Sequence, residues 1–170
     1  MVHVCLPHIR EVCRIMPDIR RINKEVSECA SDKNNSGVTA FPAKEDDFCH
    51  FIGYIKGPDD SPYTGGVFKL HIELPLDYPF VPPKIKFDTK VWHPNVSSIT
   101  GVICLDVLST EWSPAFTIRT ALLSILALLT DPEPDNPQDA VVAHQYKTNR
   151  KMFEDKAREW TVAYATNLIK

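Results

Sequence analysis

Cys104 has the clearest capacity for chemistry in this chain. It sits near the end of the run V-W-H-P-N-V-S-S-I-T-G-V-I-C-L-D at residues 91–106, after a turn-rich stretch. A cysteine in that setting has three readings: a small buried hydrophobe, a metal ligand, or a nucleophile whose thiolate is the reactive form. His93 in the same run carries two readings. It can serve Cys104 as a base, the arrangement of a cysteine hydrolase, or it can be structural beside Pro94. Asn95 in a turn commonly binds local backbone. Residue types and spacing give no distance between Cys104 and His93, so these alternatives stay open on residues alone.

The other cysteines fall at 5, 13, 29 and 49. The total of five is odd, the spacing is irregular, and no pair forms C-x-x-C. That pattern argues against a disulfide framework and against a zinc knuckle. No metal and no cofactor is expected. The simplest compartment is a reducing one, the cytosol or the nucleus. Cys29 falls on an apolar stripe and is expected to be buried.

The elements that must position Cys104 are partly legible. Pro17 suits the first turn of a helix, where its missing N–H costs nothing. After it Ile19, Ile22, Val26 and Cys29 recur at helical spacing, and Arg20, Arg21 and Lys24 lie off that stripe on a face expected to be solvated. The helix should end near Ser31. A strand-rich block follows. Phe48 to Lys56 is aromatic and β-branched, Val67 to Leu74 alternates apolar with polar, and Lys84 to Asp88 reads as the last strand. The turn G-P-D-D-S-P-Y-T-G-G separates the first two, and Y-P-F-V-P-P (Tyr78 to Pro83) must be an ordered loop because proline cannot sit in a central strand. Short connections in sequence order imply an antiparallel meander. The second half is helical. Thr117 can cap the apolar segment I-R-T-A-L-L-S-I-L-A-L-L, expected to be a central buried helix covered by the sheet. Asn136 before Pro137 reads as the cap of a further helix, with Asp139 near its positive end. Phe153, Ala157, Trp160 and Tyr164 mark one face of a closing helix. The expected class is α+β: a four-stranded antiparallel meander sheet with an N-terminal helix, a buried central helix and two C-terminal helices.

A length of 170 residues suits one domain, and 44% apolar with 24% charged residues is ordinary for a globular chain. The net charge of −3 argues against a general nucleic-acid binder. No apolar run approaches the length of a membrane span, and Arg10, Glu11 and Arg14 interrupt the N-terminal apolar stretch, which makes a poor signal peptide. Residues 1–16 are expected to be an extension and residues 17–170 the core.

Several stretches taken together resemble the ubiquitin-conjugating enzymes. They are H-P-N followed by C-L-D and W-S-P-A, P-Y-x-G-G-x-F at Pro62 to Phe68, Y-P-F-x-P-P at Tyr78 to Pro83, and L-L-T-D-P-E-P at Leu128 to Pro134. Their order and approximate spacing agree with the family across residues 17–165. Within it, H-P-N-V-S-S-I-T-G-V-I-C-L-D and E-P-D-N-P-Q-D-A-V-V-A look most like the class that builds ubiquitin chains in the cytosol. Members of that class often carry a C-terminal ubiquitin-associated domain, and this chain is expected to lack that module.

The resemblance implies an ATP-dependent pathway. An activating enzyme would hand ubiquitin to Cys104 as a thioester, and the thioester would pass to a lysine amine of a protein substrate, directly or with a RING-type or related ligase. By the same resemblance Asn95 would either donate to the developing oxyanion or hold the cysteine loop, while His93 and Pro94 would be structural. Asp106 and an acidic residue after the central helix would orient the lysine. That second position is Asn136 here, a departure from the family pattern, with Asp135 just before it. Arg20, Arg21 and Lys24 match the face that meets the activating enzyme. Phe80 with Ser113, Pro114 and Ala115 matches the ligase-binding loops. Three alternatives stand beside this reading: a catalytically dead variant of the fold, a Cys104/His93 hydrolase, and a conjugator of a ubiquitin-like modifier.

Overall fold

The computed structural model describes residues 18–31, 36–45 and 47–166. The expected extension over 1–16, with Cys5 and Cys13, and the helix-starting role of Pro17 lie outside the described residues. Helix α1 runs Ile19–Ala30, opened by Asp18, whose side chain accepts from the Arg21 amide. Its buried face carries Ile22, Val26 and Cys29, as the helical spacing predicts. It also carries Glu25, a charge that the stripe did not reveal.

Four antiparallel strands follow in sequence order: β1 Val38–Pro42, β2 His50–Lys56, β3 Val67–Glu73 and β4 Lys84–Phe87. The sequence reading expects four strands but locates only the last three. The first, V-T-A-F-P, is short and ends in proline, which hides it among turn residues. Register pairs Gly53 with Leu70 and Ile55 with Phe68, so the alternating inward set is Phe51, Gly53 and Ile55 on β2 and Phe68, Leu70 and Ile72 on β3.

Helix α2, Ile118–Thr130, packs across β1 and β2. Thr117 caps it as expected, and Thr120 closes a reciprocal capping box. Its buried face is Ile118, Ala121, Leu122, Ile125, Leu128 and Leu129, whereas Thr120 and Ala127 are exposed. The helix is therefore central but not enclosed all round. A Cβ at Gly53 would stand 3.3 Å from Leu122 Cδ2 and 3.1 Å from Ile72 Cδ1, so glycine lets helix and sheet approach closely. Leu122 is fully buried, and truncating such a leucine to alanine costs about 2–5 kcal/mol.

Helix α3, Ala140–Thr148, and helix α4, Arg150–Trp160, share Asn149, which ends one and caps the other through Met152 N at 3.0 Å. A π-turn at Thr161–Ala165 extends α4. The wider turn shifts the phase of the closing stripe. Phe153, Ala157, Thr161 and Ala165 face inward, while Tyr164 is exposed rather than buried with them, and Trp160 packs at a tilt against Trp92. Among the described residues no helix is long and apolar enough to cross a membrane.

Candidate active site

Between β4 and α2 the chain makes no long element, and the residues singled out for chemistry fall there. Isolated bridges pair His93 with Val96, Val96 with Ile103 and Lys86 with Val102. The amide of Cys104 donates to Asn95 O at 2.9 Å and that of Ser97 to Val102 O at 2.9 Å. Residues 96–104 thus form a small irregular hairpin with Cys104 at its end. Gly101 at its tip has φ +75°, and a Cβ there would collide with the Phe87 carbonyl. The close approach lets Phe87 N donate to Gly101 O, which fastens the hairpin to the end of β4. Cys104 is partly exposed, and a short 3-10 turn, Asp106–Leu108, leads the chain away from it.

His93 is sealed beneath this hairpin. Its Nδ1 accepts from Asn95 N at 3.0 Å, so Nε2 carries the proton and donates to Leu128 O at 2.9 Å. Burial lowers its pKa to about 4, against the opposing pull of the Leu128 carbonyl. The ring is neutral near pH 7 with both nitrogens committed. It has no lone pair to offer Cys104, which removes the geometry of a Cys/His hydrolase.

Asn95 is buried, and its side chain makes three bonds to the loop after α2. Nδ2 donates to Glu133 O and to Asn136 O, each at 2.9 Å, and Oδ1 accepts from Glu133 N at 2.9 Å. Pro94 contributes its carbonyl, which accepts from Gln138 N and Asp139 N. The H-P-N segment therefore clamps the 133–139 loop against the cysteine hairpin.

The helix cap expected at Asn136 is instead Asp139, whose Oδ1 accepts from Val141 N and Val142 N. Its other oxygen, Oδ2, accepts from Ser98 Oγ at 2.6 Å and Ser98 N at 3.3 Å. Partial burial pushes the Asp139 carboxyl up, but the bonds from Ser98, Val142 and Val141 together hold it below the usual range. This tie between α3 and the hairpin was missed in the sequence; the only signal was an acidic residue placed near a helix start. Asn136 has an exposed side chain, and Asp135 is paired with Lys147 at 2.7 Å. Asp106 is exposed at the start of the 3-10 turn. Among the described residues no group of three or more His, Cys, Asp or Glu side chains could hold a metal ion.

The family model described as ubiquitin-conjugating enzyme matches residues 21–161. This chain belongs to the ubiquitin-conjugating enzyme family. It is 51% identical over 150 residues to ubiquitin-conjugating enzyme E2 27 of Arabidopsis thaliana, covering 88% of this chain and 78% of that one. To the human ubiquitin-conjugating enzyme E2 K it is 49% identical over 148 residues, covering 86% and 74% respectively. The E2 domain of a Toxoplasma gondii ubiquitin conjugating enzyme superposes with a TM-score of 0.80 at 50% identity, covering 86% of this chain and 97% of that one. The protein is accordingly a ubiquitin-conjugating transferase with the α+β fold of its family.

On this conjugating enzyme the surface residues singled out separate into two groups. Arg20 and Lys24 are exposed on α1, as expected. Arg21 is only half-exposed: its Nε donates to Glu25 at 2.7 Å, its Nη2 donates to Phe116 O at 2.8 Å, and its guanidinium lies 5.8 Å from the centre of the Tyr78 ring. Being off the apolar stripe did not fully expose it, because Glu25 one turn on and the distant Phe116 loop recruit it. Burial works against its charge, but Glu25 and Tyr78 outweigh that and hold its pKa above the ordinary value. Phe80 is 79% exposed. It flanks an open groove lined by Asp18, Arg21, Leu76, Tyr78 and Pro114. Pro114 and Ala115 are exposed and Ser113 half-buried.

Proposed function

We propose that this enzyme carries ubiquitin as a thioester on Cys104 and passes it to a lysine amine of a protein substrate, directly or with a RING-type ligase. The observation that carries the reading is the placement of Cys104. It is partly exposed at the end of a hairpin whose backbone is tied on both sides. In loading, the Cys104 thiolate attacks the carbonyl of the thioester on the activating enzyme. A new C–S bond forms, the old one breaks, and the activating enzyme's thiolate leaves. The incoming acyl group is already activated, so Cys104 needs no histidine base. His93 has none to give.

In discharge a neutral lysine attacks the Cys104 thioester. The C–N bond forms, the C–S bond breaks, Cys104 leaves as thiolate, and the amine sheds a proton to solvent. A free lysine has a pKa of about 10.4, so a positioned acceptor is valuable. Asp106 fits that task, since it is exposed two residues past the nucleophile. Asp135 is engaged with Lys147 and Asn136 carries no charge. Asn95 acts chiefly by holding the loop, since both its N–H bonds are spent on carbonyls. Arg20 and Lys24 serve the activating enzyme. Phe80, Ser113, Pro114 and Ala115 serve the ligase, with the exposed aromatic as anchor. Residues 17–170 constitute the catalytic core, and the enzyme works in the cytosol or the nucleus as a builder of ubiquitin chains.

The test is a loading reaction with activating enzyme, ATP and an equimolar mixture of ubiquitin and ubiquitin-like modifiers. The expected product is one adduct, carrying ubiquitin and cleaved by thiol reductant. An adduct with another modifier instead, or none, contradicts the proposal.

A further inference from the structure

The groove beside Phe80 is built around a buried charge that the chemistry at Cys104 does not use. Glu25 is 4% exposed. Its Oε1 accepts from Arg21 Nε at 2.7 Å, and its Oε2 accepts from Tyr78 Oη at 2.6 Å and from Ile118 N at 2.9 Å. Three segments far apart in sequence therefore converge on one carboxylate: α1, the Tyr78 loop and the first residue of α2. Arg21 extends the junction to a fourth, donating to Phe116 O at 2.8 Å. Trp112 closes it, with Nε1 donating to Pro79 O at 2.7 Å and its ring against Tyr78 and Phe116.

The two fixed points lie next to the exposed groove walls. Tyr78 precedes Phe80 by two residues, and Phe116 follows Pro114 by two. Holding the Tyr78 hydroxyl and the Phe116 carbonyl on one Glu25–Arg21 pair sets the separation of Phe80 and Pro114. A docking surface with few anchors depends on having them preorganised, because ordering them on binding is lost affinity. The hydrogen bonds from Tyr78 and Arg21 also tie the Glu25 carboxylate into the state of the groove: burial first, then Glu25, pushes the Tyr78 hydroxyl pKa above its ordinary value.

We infer that Glu25 is a positioning residue for ligase docking: its carboxylate fixes the spacing between the Phe80 loop and the Pro114 loop. The inference rests on the reading of this groove as the ligase surface. Glutamine at this position has one carbonyl oxygen and one NH2 group for three fixed donors. With its NH2 toward Arg21, the guanidinium is repelled and loses its hold on Phe116. With its NH2 toward Tyr78, the hydroxyl can turn to accept but the Ile118 amide is left facing another donor. The first orientation frees the Phe116 side of the groove, and the second leaves the start of α2, two residues past Phe116, without its anchor.

The experiment uses the charged full chain and an isolated RING domain, chosen from a panel because it stimulates lysine discharge by the wild type. Glu25→Gln is expected to raise the half-saturating RING concentration about tenfold, the scale of losing one well-placed anchor. The rate at saturating RING should stay within about twofold, a split that general destabilisation would not produce. Tyr78→Phe keeps the ring and removes one donor, and a smaller rise of about threefold is expected; it decides the matter if the Glu25 variant does not fold. Phe80→Ala tests the groove itself. If Phe80→Ala leaves the RING response at the wild-type level, or no RING domain in the panel stimulates the wild type, the groove reading fails and this inference with it. If Phe80→Ala weakens the response while Glu25→Gln and Tyr78→Phe leave half-saturation unchanged, or if both lower the rate at saturation in proportion, Glu25 does not position the groove.

Discussion

Replacing Asn95 with alanine separates two roles that the residue type alone leaves open. The substitution removes two bonds donated by Nδ2, to Glu133 O and Asn136 O, and one accepted by Oδ1 from Glu133 N. A typical net contribution of about 1 kcal/mol per bond puts the loss near 3 kcal/mol, and the exposed 133–136 loop lets water soften it. For a chain of this size about 1 kcal/mol shifts the melting midpoint by roughly 2–4 °C, so a drop of about 6–12 °C is expected. The loop that comes loose also carries Asp139, which holds Ser98 and hence the cysteine hairpin. Discharge to free lysine should therefore fall together with stability. Asn95→Asp retains the acceptor for Glu133 N but sets a carboxylate against two carbonyls, and it should be no milder. The assay pairs thermal unfolding with single-turnover discharge. If Asn95→Ala leaves stability within about 0.5 kcal/mol of wild type while discharge falls roughly 10²–10³-fold, the amide donates to the oxyanion and the clamp described above is the wrong account.

Three further outcomes follow from the same geometry. His93 has its pKa lowered from 6.5 to about 4 in the folded state, so below pH 6.5 the unfolded chain binds the extra proton first. Stability is fully present above pH 6.5 and should fall by up to about 3 kcal/mol toward pH 4; urea unfolding across that window checks it, and His93→Gln should flatten the slope. Asn136→Asp places a carboxylate on an exposed side chain near the hairpin and should accelerate discharge to lysine by up to about fivefold, the scale of an exposed ion pair, with little change in melting; a pH–rate profile that does not move contradicts a lysine-orienting role at that position. Gly101→Ala forces a side chain into a left-handed backbone and against the Phe87 carbonyl. It should cost about 2 kcal/mol or more and slow loading by displacing the hairpin.

The parts of the fold that local chemistry dictates were legible in the chain. Thr117 announced α2 because a threonine before an apolar run caps a helix whatever surrounds it. Val67 to Leu74 announced β3 because one buried sheet face enforces alternation. The corrections arise where distant contacts choose between locally equivalent options. Asn136 before a proline and Asp139 before an alanine are both plausible caps; Ser98 and the Pro94 carbonyl, on the far side of the site, select Asp139. Arg21 lies off the apolar stripe yet is half-buried, because Phe116, brought to it by tertiary structure, holds the guanidinium that Glu25 one turn on already pairs. Tyr164 turns outward because a π-turn widens the last helical turn, and no single residue type marks such a turn. The candidate site was legible through its motifs. Its wiring was not: that His93 binds Leu128 O and Asn95 binds Glu133 depends on where α2 ends in space.

The most direct test of the central claim is the chemical nature of the bond at residue 104. Charged with ubiquitin by activating enzyme and ATP, the wild type should form an adduct that thiol reductant cleaves, and peptide mapping should place it on Cys104. Cys104→Ser should convert it to an oxygen ester that resists reductant and yields to mild base, and Cys104→Ala should form none. A reductant-sensitive adduct that persists in Cys104→Ala, carried by another thiol such as Cys49, would contradict the account.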